Sequence, residues 1–188
     1  VTGGSLRELL SLVHKSLLMR DVAAERFTIH ELLRQMAAAK LRESGEPAAP
    51  LHRLAVTTVE QLYAPHLAQY AGELADHAEQ AGMVDKAHGY LRLAGDTARD
   101  LYQNGLALEQ YGRALQLTGA DDLETAYQLR MERQAIDHLL GRRAEQAGEL
   151  AALHDLAAAL HDARKQSDIW ICQARYAEAT GSYADAAQ

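Results

Sequence analysis

GMVDKAHGYLRLA, residues 82–94, is the stretch that decides the fold. It opens with Gly82, reaches an apolar residue two positions later at Val84, and then places Ala87 and Ala94 at helical spacing. Glycine readily adopts the positive φ that ends a helix and lets the chain reverse, and small Ala side chains let two helices approach closely. The stretch therefore predicts a turn followed by the second helix of a packed helical pair.

The same pattern occurs again near the end of the sequence, where Gly181 is followed by Tyr183 and Ala186. Both glycines are also preceded by matching residues, eleven and seven positions upstream. Those residues are Ala71 and Ala75 before Gly82, and Trp170 and Ala174 before Gly181. These positions resemble the tetratricopeptide repeat, a helix–turn–helix unit of about 34 residues. Because Gly141 and Gly181 are farther apart than one such unit and have no clean copy midway, the copies are degenerate, and an ordinary helical bundle is the alternative.

Composition favours helices along most of the chain. The 188 residues are 48% apolar but only 5% aromatic, and Ala and Leu carry the apolar content, which suits helix–helix contacts better than a β-sandwich. The last proline is Pro65, so no later residue forbids a helix. We therefore predict a mainly α fold, with a tetratricopeptide-like α-α superhelix over residues 47–188. Its helical pairs are expected at about 65–94, 95–117, 123–160 and 167–188.

The first 46 residues are organised differently. SLRE (5–8) has the form of a helix capping box, and RFTI (26–29) alternates polar and apolar residues, as a strand of a short hairpin does. The runs LLSLVHKSLL (9–18), RFTIHELLRQ (26–35) and AAAKL (37–41) follow in order. Together they resemble the end of the winged-helix domain in signal-transduction ATPases of the STAND class, which includes bacterial regulators of the NB-ARC type.

This second resemblance covers about residues 5–42. It implies that residues 1–46 are the C-terminal part of a winged-helix domain with a two-stranded hairpin. It also implies that the parent protein is a bacterial signal-transduction ATPase or transcriptional regulator. The missing initiating Met is what a segment of such a longer protein would show.

His30 matches the histidine that helps to sense bound nucleotide in that family, with a structural role at the wing as the alternative. Glu31 departs from the Asp that often follows this histidine. A Gly-x-x-x-x-Gly-Lys-Ser/Thr loop is absent from the 188 residues, so the element that cradles β- and γ-phosphates is missing. We therefore expect that this chain is not an enzyme and needs no cofactor. The resemblance implies that any ATPase activity belongs to the parent protein.

Charge bears on the class of partner. Residues 1–46 carry a net charge of +1 and residues 47–188 carry −8. Neither part shows the basic stripe that binds phosphate backbones, so direct binding of nucleic acid is disfavoured. We predict a protein-interaction or signal-sensing scaffold whose partner is a protein, a peptide or another domain of the parent, with a homodimer as a further option. The alternative is a DNA-binding winged-helix transcription-factor fragment with a helical effector domain.

The likeness to tetratricopeptide repeats implies that the first helix of each pair lines a concave binding groove. On this alignment eight polar or flexible residues line the groove. They are Gln69, Asp76, Glu79, Gln128, Met131, His138, Asp168 and Arg175. Their mildly acidic mixture predicts a peptide or partner helix with some basic character, because charge sets association rate and specificity.

No spacing in the sequence indicates a catalytic or metal site. His154 and His161 share a helix face but lie about 10 Å apart along its axis, too far for one ion. Cys172 is the only cysteine, which excludes an internal disulfide and fits a reducing cytoplasm. No apolar run approaches the roughly 20 residues that a membrane span needs. We therefore expect a cytoplasmic protein without a metal site or membrane contact.

Overall fold

A computed structural model describes residues 18–21, 26–29, 35–36, 39–40, 43 and 47–181. From residue 49 to residue 180 the chain forms a succession of helices joined by short turns. They are α1 (Ala49–Leu62), a short 3-10 helix (Ala64–His66), α2 (Leu67–Gln80), α3 (Val84–Asp100), α4 (Asn104–Leu117), α5 (Leu123–Leu140), α6 (Arg143–Leu160) and α7 (Ala163–Thr180). The fold is therefore mainly α, as the composition predicts.

Two short strands precede the helices. β1 (Leu18–Asp21) and β2 (Arg26–Ile29) pair antiparallel, with Leu18 opposite Ile29 and Asp21 opposite Arg26. The alternating stretch 26–29 is thus one of the two strands. The capping box at 5–8 and the nucleotide-sensing candidate His30 lie outside the described residues, so membership of a winged-helix domain stays a prediction.

Most of the turns between helices share one feature, a residue with positive φ just after the helix end. These residues are Gly82 (φ 67°), Tyr102 (58°), Gly141 (71°), His161 (53°) and Gly181 (72°). In this left-handed conformation the following amide can bond back to the helix, as Met83 N does to the Ala78 carbonyl at 2.8 Å. The last three turns are evenly spaced, so a helical pair spans the interval from Gly141 to Gly181, which is longer than the roughly 34 residues of a tetratricopeptide repeat.

The longer helices correct two of the predicted boundaries. Residues 95–100 belong to α3, which runs without interruption to Asp100, so the pair expected at 95–117 is wrong and contains only one complete helix, α4. α7 begins at Ala163 and not at 167, because the Asp162 carboxylate accepts hydrogen bonds from the Arg164 and Lys165 amides and caps the helix. The second helix expected before residue 188 lies outside the described residues.

Ion pairs join helices that are two apart along the chain. These contacts show that the helices lie in two layers. Lys86 of α3 pairs with Glu60 of α1 (2.6 Å), Arg99 of α3 with Glu132 of α5 (2.6 Å), and Lys165 of α7 with Glu124 of α5 (3.2 Å). Arg113 of α4 pairs with Asp76 and Glu79 of α2, at 2.6 Å each. The odd-numbered helices α1, α3, α5 and α7 therefore share one layer, whereas α2 and α4 lie in the other.

Small side chains line the crossings between the layers. Ala75, Ala87 and Ala107 are completely buried. Leu91 and Tyr111 fill the space around Ala75 and Ala107, whereas Ala87 packs in a second cluster with larger apolar side chains of the first two helices. Close approach of this kind needs residues without bulk at the crossing point. The alanine spacing around Gly82 thus marks real contacts between helices, whereas Ala174, at the matching position before Gly181, is exposed.

Candidate functional site

A cleft with a mainly apolar lining opens between α2 and α4, with the end of α3 as its floor. It has a volume of about 380 Å³. Ala68, Gln69, Gly72 and Glu73 of α2 form one wall, and Leu106 and Gln110 of α4 form the other. Ala94, Thr97, Ala98, Leu101 and Gln103 lie beneath and at the end. We call this the apolar cleft.

The apolar cleft exposes large side chains at one end and a carboxylate along one wall. Leu101 is 62% exposed and Leu106 is 44% exposed, although both are apolar. Glu73 is exposed and makes no ion pair or hydrogen bond with another described residue. The cleft therefore combines an apolar anchoring surface with an acidic edge, a combination that fits an amphipathic partner segment.

A second, smaller cleft lies where α5, α6 and α7 meet. Its volume is about 100 Å³. The residues that line it are Gln134, Ala135, His138, Gln146, Cys172 and Arg175. We call this the polar cleft.

A buried amide network fixes the imidazole in the polar cleft. Gln146 is only 1% exposed, and its Nε2 donates to His138 Nδ1 at 3.2 Å. Arg143 Nη1 donates to Gln146 Oε1 at 2.7 Å and also faces His138 Nδ1 at 3.2 Å. Because both neighbours of Nδ1 are N–H donors, Nδ1 accepts and the ring proton sits on Nε2.

Burial governs the ionisation of two groups near this cleft. It raises the pKa of the Cys172 thiol, while Arg175 lowers it to a smaller extent. Burial also raises the pKa of Asp137, whose Oδ1 accepts no hydrogen bond from a described residue and lies 3.5 Å from Arg142 Nε. A thiol with a raised pKa stays protonated at neutral pH and does not suit nucleophilic catalysis.

The eight residues predicted for one groove lie in two layers, and only three of them line either cleft. Gln69 lines the apolar cleft on α2, whereas His138 and Arg175 meet in the polar cleft on α5 and α7. Asp76 and Glu79 hold Arg113 of the neighbouring helix. The expectation of a single groove is therefore wrong, because one helix fewer than expected lies between α2 and α5 and this moves α2 to the opposite layer.

Three of the remaining predictions concern α5 and α7. Gln128 accepts from Arg92 at 3.4 Å and donates to Glu124 at 3.0 Å, and Met131 packs half-buried against the core of α5, α6 and α7. Asp168 is exposed on α7. Trp170, which its repeat position predicts to pack between helices, is 61% exposed.

Several residues of the two clefts carried no signal in the sequence. Leu101 and Leu106 flank a turn, and only their exposure in the folded chain distinguishes them from core leucines. Gln146 and Arg143 act through contacts with His138, and glutamine spacing in a helix has no diagnostic pattern. The packing of three helices is needed to find them.

Within the described ranges, no group of three or more His, Cys, Asp or Glu is arranged to hold a metal ion. None of the described helices is long and apolar enough to cross a bilayer. A scan against protein-family models, a search of curated proteins and a search of solved structures each found no match.

Proposed function

We propose that the helices from α1 to α7 form a scaffold that binds another protein, or another part of the parent chain, through the apolar cleft. The observation that carries the proposal is the exposure of Leu101 and Leu106 at the end of an open cleft of about 380 Å³. Apolar surface left exposed in a concave site is typical of interaction sites. Burying one leucine-sized anchor there supplies roughly 2 kcal/mol.

Charge around the cleft favours a partner segment with basic residues. Glu73 lies on the α2 wall without a partner among the described residues, while Arg113, the cation that faces Asp76 and Glu79, is already held by those two carboxylates. A lysine or arginine flanking the apolar anchor would therefore meet a free carboxylate at Glu73. This deepens the expectation of a partly basic partner and assigns the role to a different carboxylate.

The test uses two synthetic amphipathic helices labelled for fluorescence anisotropy, one with a leucine face flanked by lysines and one with the same face flanked by glutamates. We expect the lysine peptide to bind more tightly. Gly72→Leu should weaken its binding by about tenfold or more, because the new side chain occupies the volume of the anchor. A Cβ at Gly72 has no neighbour within 4 Å, so the first atom of the new side chain enters the cleft without a clash.

Gly89→Leu is the matched control. Gly89 is exposed on α3, outside the cleft, and a Cβ there also has open space. Both variants replace a helical glycine with a good helix former, so they share any effect of propensity. Equal binding by the two variants would refute the apolar cleft as the binding site, and equal binding of the two peptides would refute the role of charge.

We further propose that the parent protein is a bacterial regulatory ATPase in which these helices receive a signal next to the nucleotide switch. Support comes from the resemblance of residues 5–42 to the end of a winged-helix domain and from the antiparallel strands 18–21 and 26–29, which occur where that resemblance places a wing. The gene sequence upstream of Val1 tests this part. A phosphate-binding loop is expected there, and its absence from the few hundred preceding codons would contradict the assignment.

A further inference from the structure

We propose that the polar cleft between α5, α6 and α7 binds a small oxyanion, a carboxylate or a phosphate group, between the Arg175 guanidinium and the Nε2–H of His138. This is a second site, formed by other helices than the apolar cleft, and it does not depend on the proposed partner of that cleft.

The first support is that two donor groups of the cleft have no acceptor among the described residues. Arg175 lines the cleft, is exposed and makes no ion pair or hydrogen bond with another described residue. His138 uses its Nδ1 to accept from Gln146 and Arg143, which leaves Nε2 as the donating atom, and no described residue accepts from it. Guanidinium and imidazole N–H groups are the donors that bind carboxylate and phosphate oxygens.

The second support is that the site is rigidly built. Gln146 is 1% exposed and is bonded at both ends of its amide, to Arg143 at 2.7 Å and to His138 at 3.2 Å. Gln134, 6% exposed, donates to Cys172 Sγ at 3.4 Å on the facing helix. The side chains of Gln134, Gln146 and His138 are therefore held in place before any ligand arrives, which lowers the entropy cost of binding.

The third support is size and charge. A volume of about 100 Å³ admits several waters or a group of a few heavy atoms, and no large side chain. Asp168 stands one turn before Cys172 on α7 and acts electrostatically on that thiol, but it does not line the cleft. None of the described residues that line the cleft is a carboxylate, so an incoming anion meets only neutral and cationic groups there.

The experiment is a titration of the ¹⁵N-labelled full chain with sodium acetate and, separately, with inorganic phosphate, at constant ionic strength maintained with chloride. The readout is the Nε2 resonance of His138, assigned from its loss in His138→Gln. We expect a saturable shift with at least one of the two anions. Saturation by acetate alone identifies a carboxylate ligand, such as an acidic side chain or chain terminus, and saturation by phosphate alone identifies a phosphate group.

Arg175→Gln should lower the affinity for whichever anion binds by about tenfold, the usual effect of losing one charge-assisted hydrogen bond. Arg164→Gln is the matched control, because Arg164 is also an exposed arginine of α7 and does not line the cleft. Thermal unfolding checks that both variants remain folded. The proposal is overturned if neither anion gives a saturable shift, or if Arg175→Gln and Arg164→Gln titrate alike.

Discussion

Gly95 and Gly89 lie on the same helix, α3, and the structure assigns opposite effects to the same substitution at the two positions. A Cβ built at Gly95 would lie 2.5 Å from Cε1 and 2.7 Å from Cδ1 of Tyr111, whereas a Cβ at Gly89 has nothing within 4 Å. Tyr111 cannot move aside freely, because it is 1% exposed and its hydroxyl donates to Asp96 at 2.7 Å. Gly95→Ala must therefore displace either the ring or the helix.

The magnitude follows from two destabilising effects and one stabilising effect. Overpacking a core costs about 1–3 kcal/mol, and a ring displaced from Asp96 loses a hydrogen bond of about 1 kcal/mol. Replacing a helical glycine with alanine returns about 1 kcal/mol through helix propensity. Gly95→Ala should thus lower the free energy of unfolding by about 1–3 kcal/mol, whereas Gly89→Ala should raise it by about 1 kcal/mol.

Urea unfolding followed by circular dichroism measures the stability of both variants against that of the unsubstituted chain. The double variant Gly95→Ala with Tyr111→Leu separates the clash from other causes, because the alanine should do little harm once the ring is gone. If Gly95→Ala is as stable as Gly89→Ala, the close approach of α3 and α4 described above is wrong.

Three further predictions concern single residues. Tyr102 holds a φ of 58° after α3, so Tyr102→Gly should raise the free energy of unfolding by about 1 kcal/mol in a urea titration, and an unchanged midpoint would contradict the left-handed turn. Burial, aided by neighbouring His77, lowers the pKa of His52, so the unfolded chain takes up this proton first as the pH falls below about 6.5. Stability contributed by His52 is thus present above that pH and lost below it. Between about pH 7.5 and pH 5.5, the His52→Gln variant should therefore lose less stability than the unsubstituted chain does. Because burial raises the pKa of the Cys172 thiol, it should react with a disulfide reagent at least about tenfold slower than free cysteine, and fast labelling of the folded chain would disprove its burial.

The sequence predicted helix type and most helix ends because both depend on local residues. Gly82, Gly141 and Gly181 end their helices in the left-handed conformation that glycine favours, and each was visible as a turn signal. The turns at Tyr102 and His161 carry no such signal, since a residue with a Cβ is strained there. Among the predicted helix boundaries, the two that failed lie near these turns: the pair at 95–117 and the start of α7.

The groove prediction failed because the number of helices before α5 was predicted wrongly by one. In a stack of helical hairpins, alternate helices face opposite sides, so an error of one helix transfers all later assignments to the other face. Because the turn at Tyr102 has no sequence signal, α3 was predicted too short and a complete pair was predicted at 95–117, where the structure has only α4 as a complete helix. Within α5 and α7 the register was kept, which is why His138 and Arg175 do meet.

Small residues on α2 show why the apolar cleft could not be located from sequence. Ala71 and Ala75 are fully buried against the neighbouring helices, whereas Ala68 and Gly72 line the open cleft. The two pairs have the same spacing, and each forms a stripe along the helix. A stripe of small residues leaves either a close helix crossing or an empty cleft, and which of the two results depends on whether another helix lies opposite. The composition that lets these helices pack closely is therefore also what leaves room for a partner where the next wall is missing.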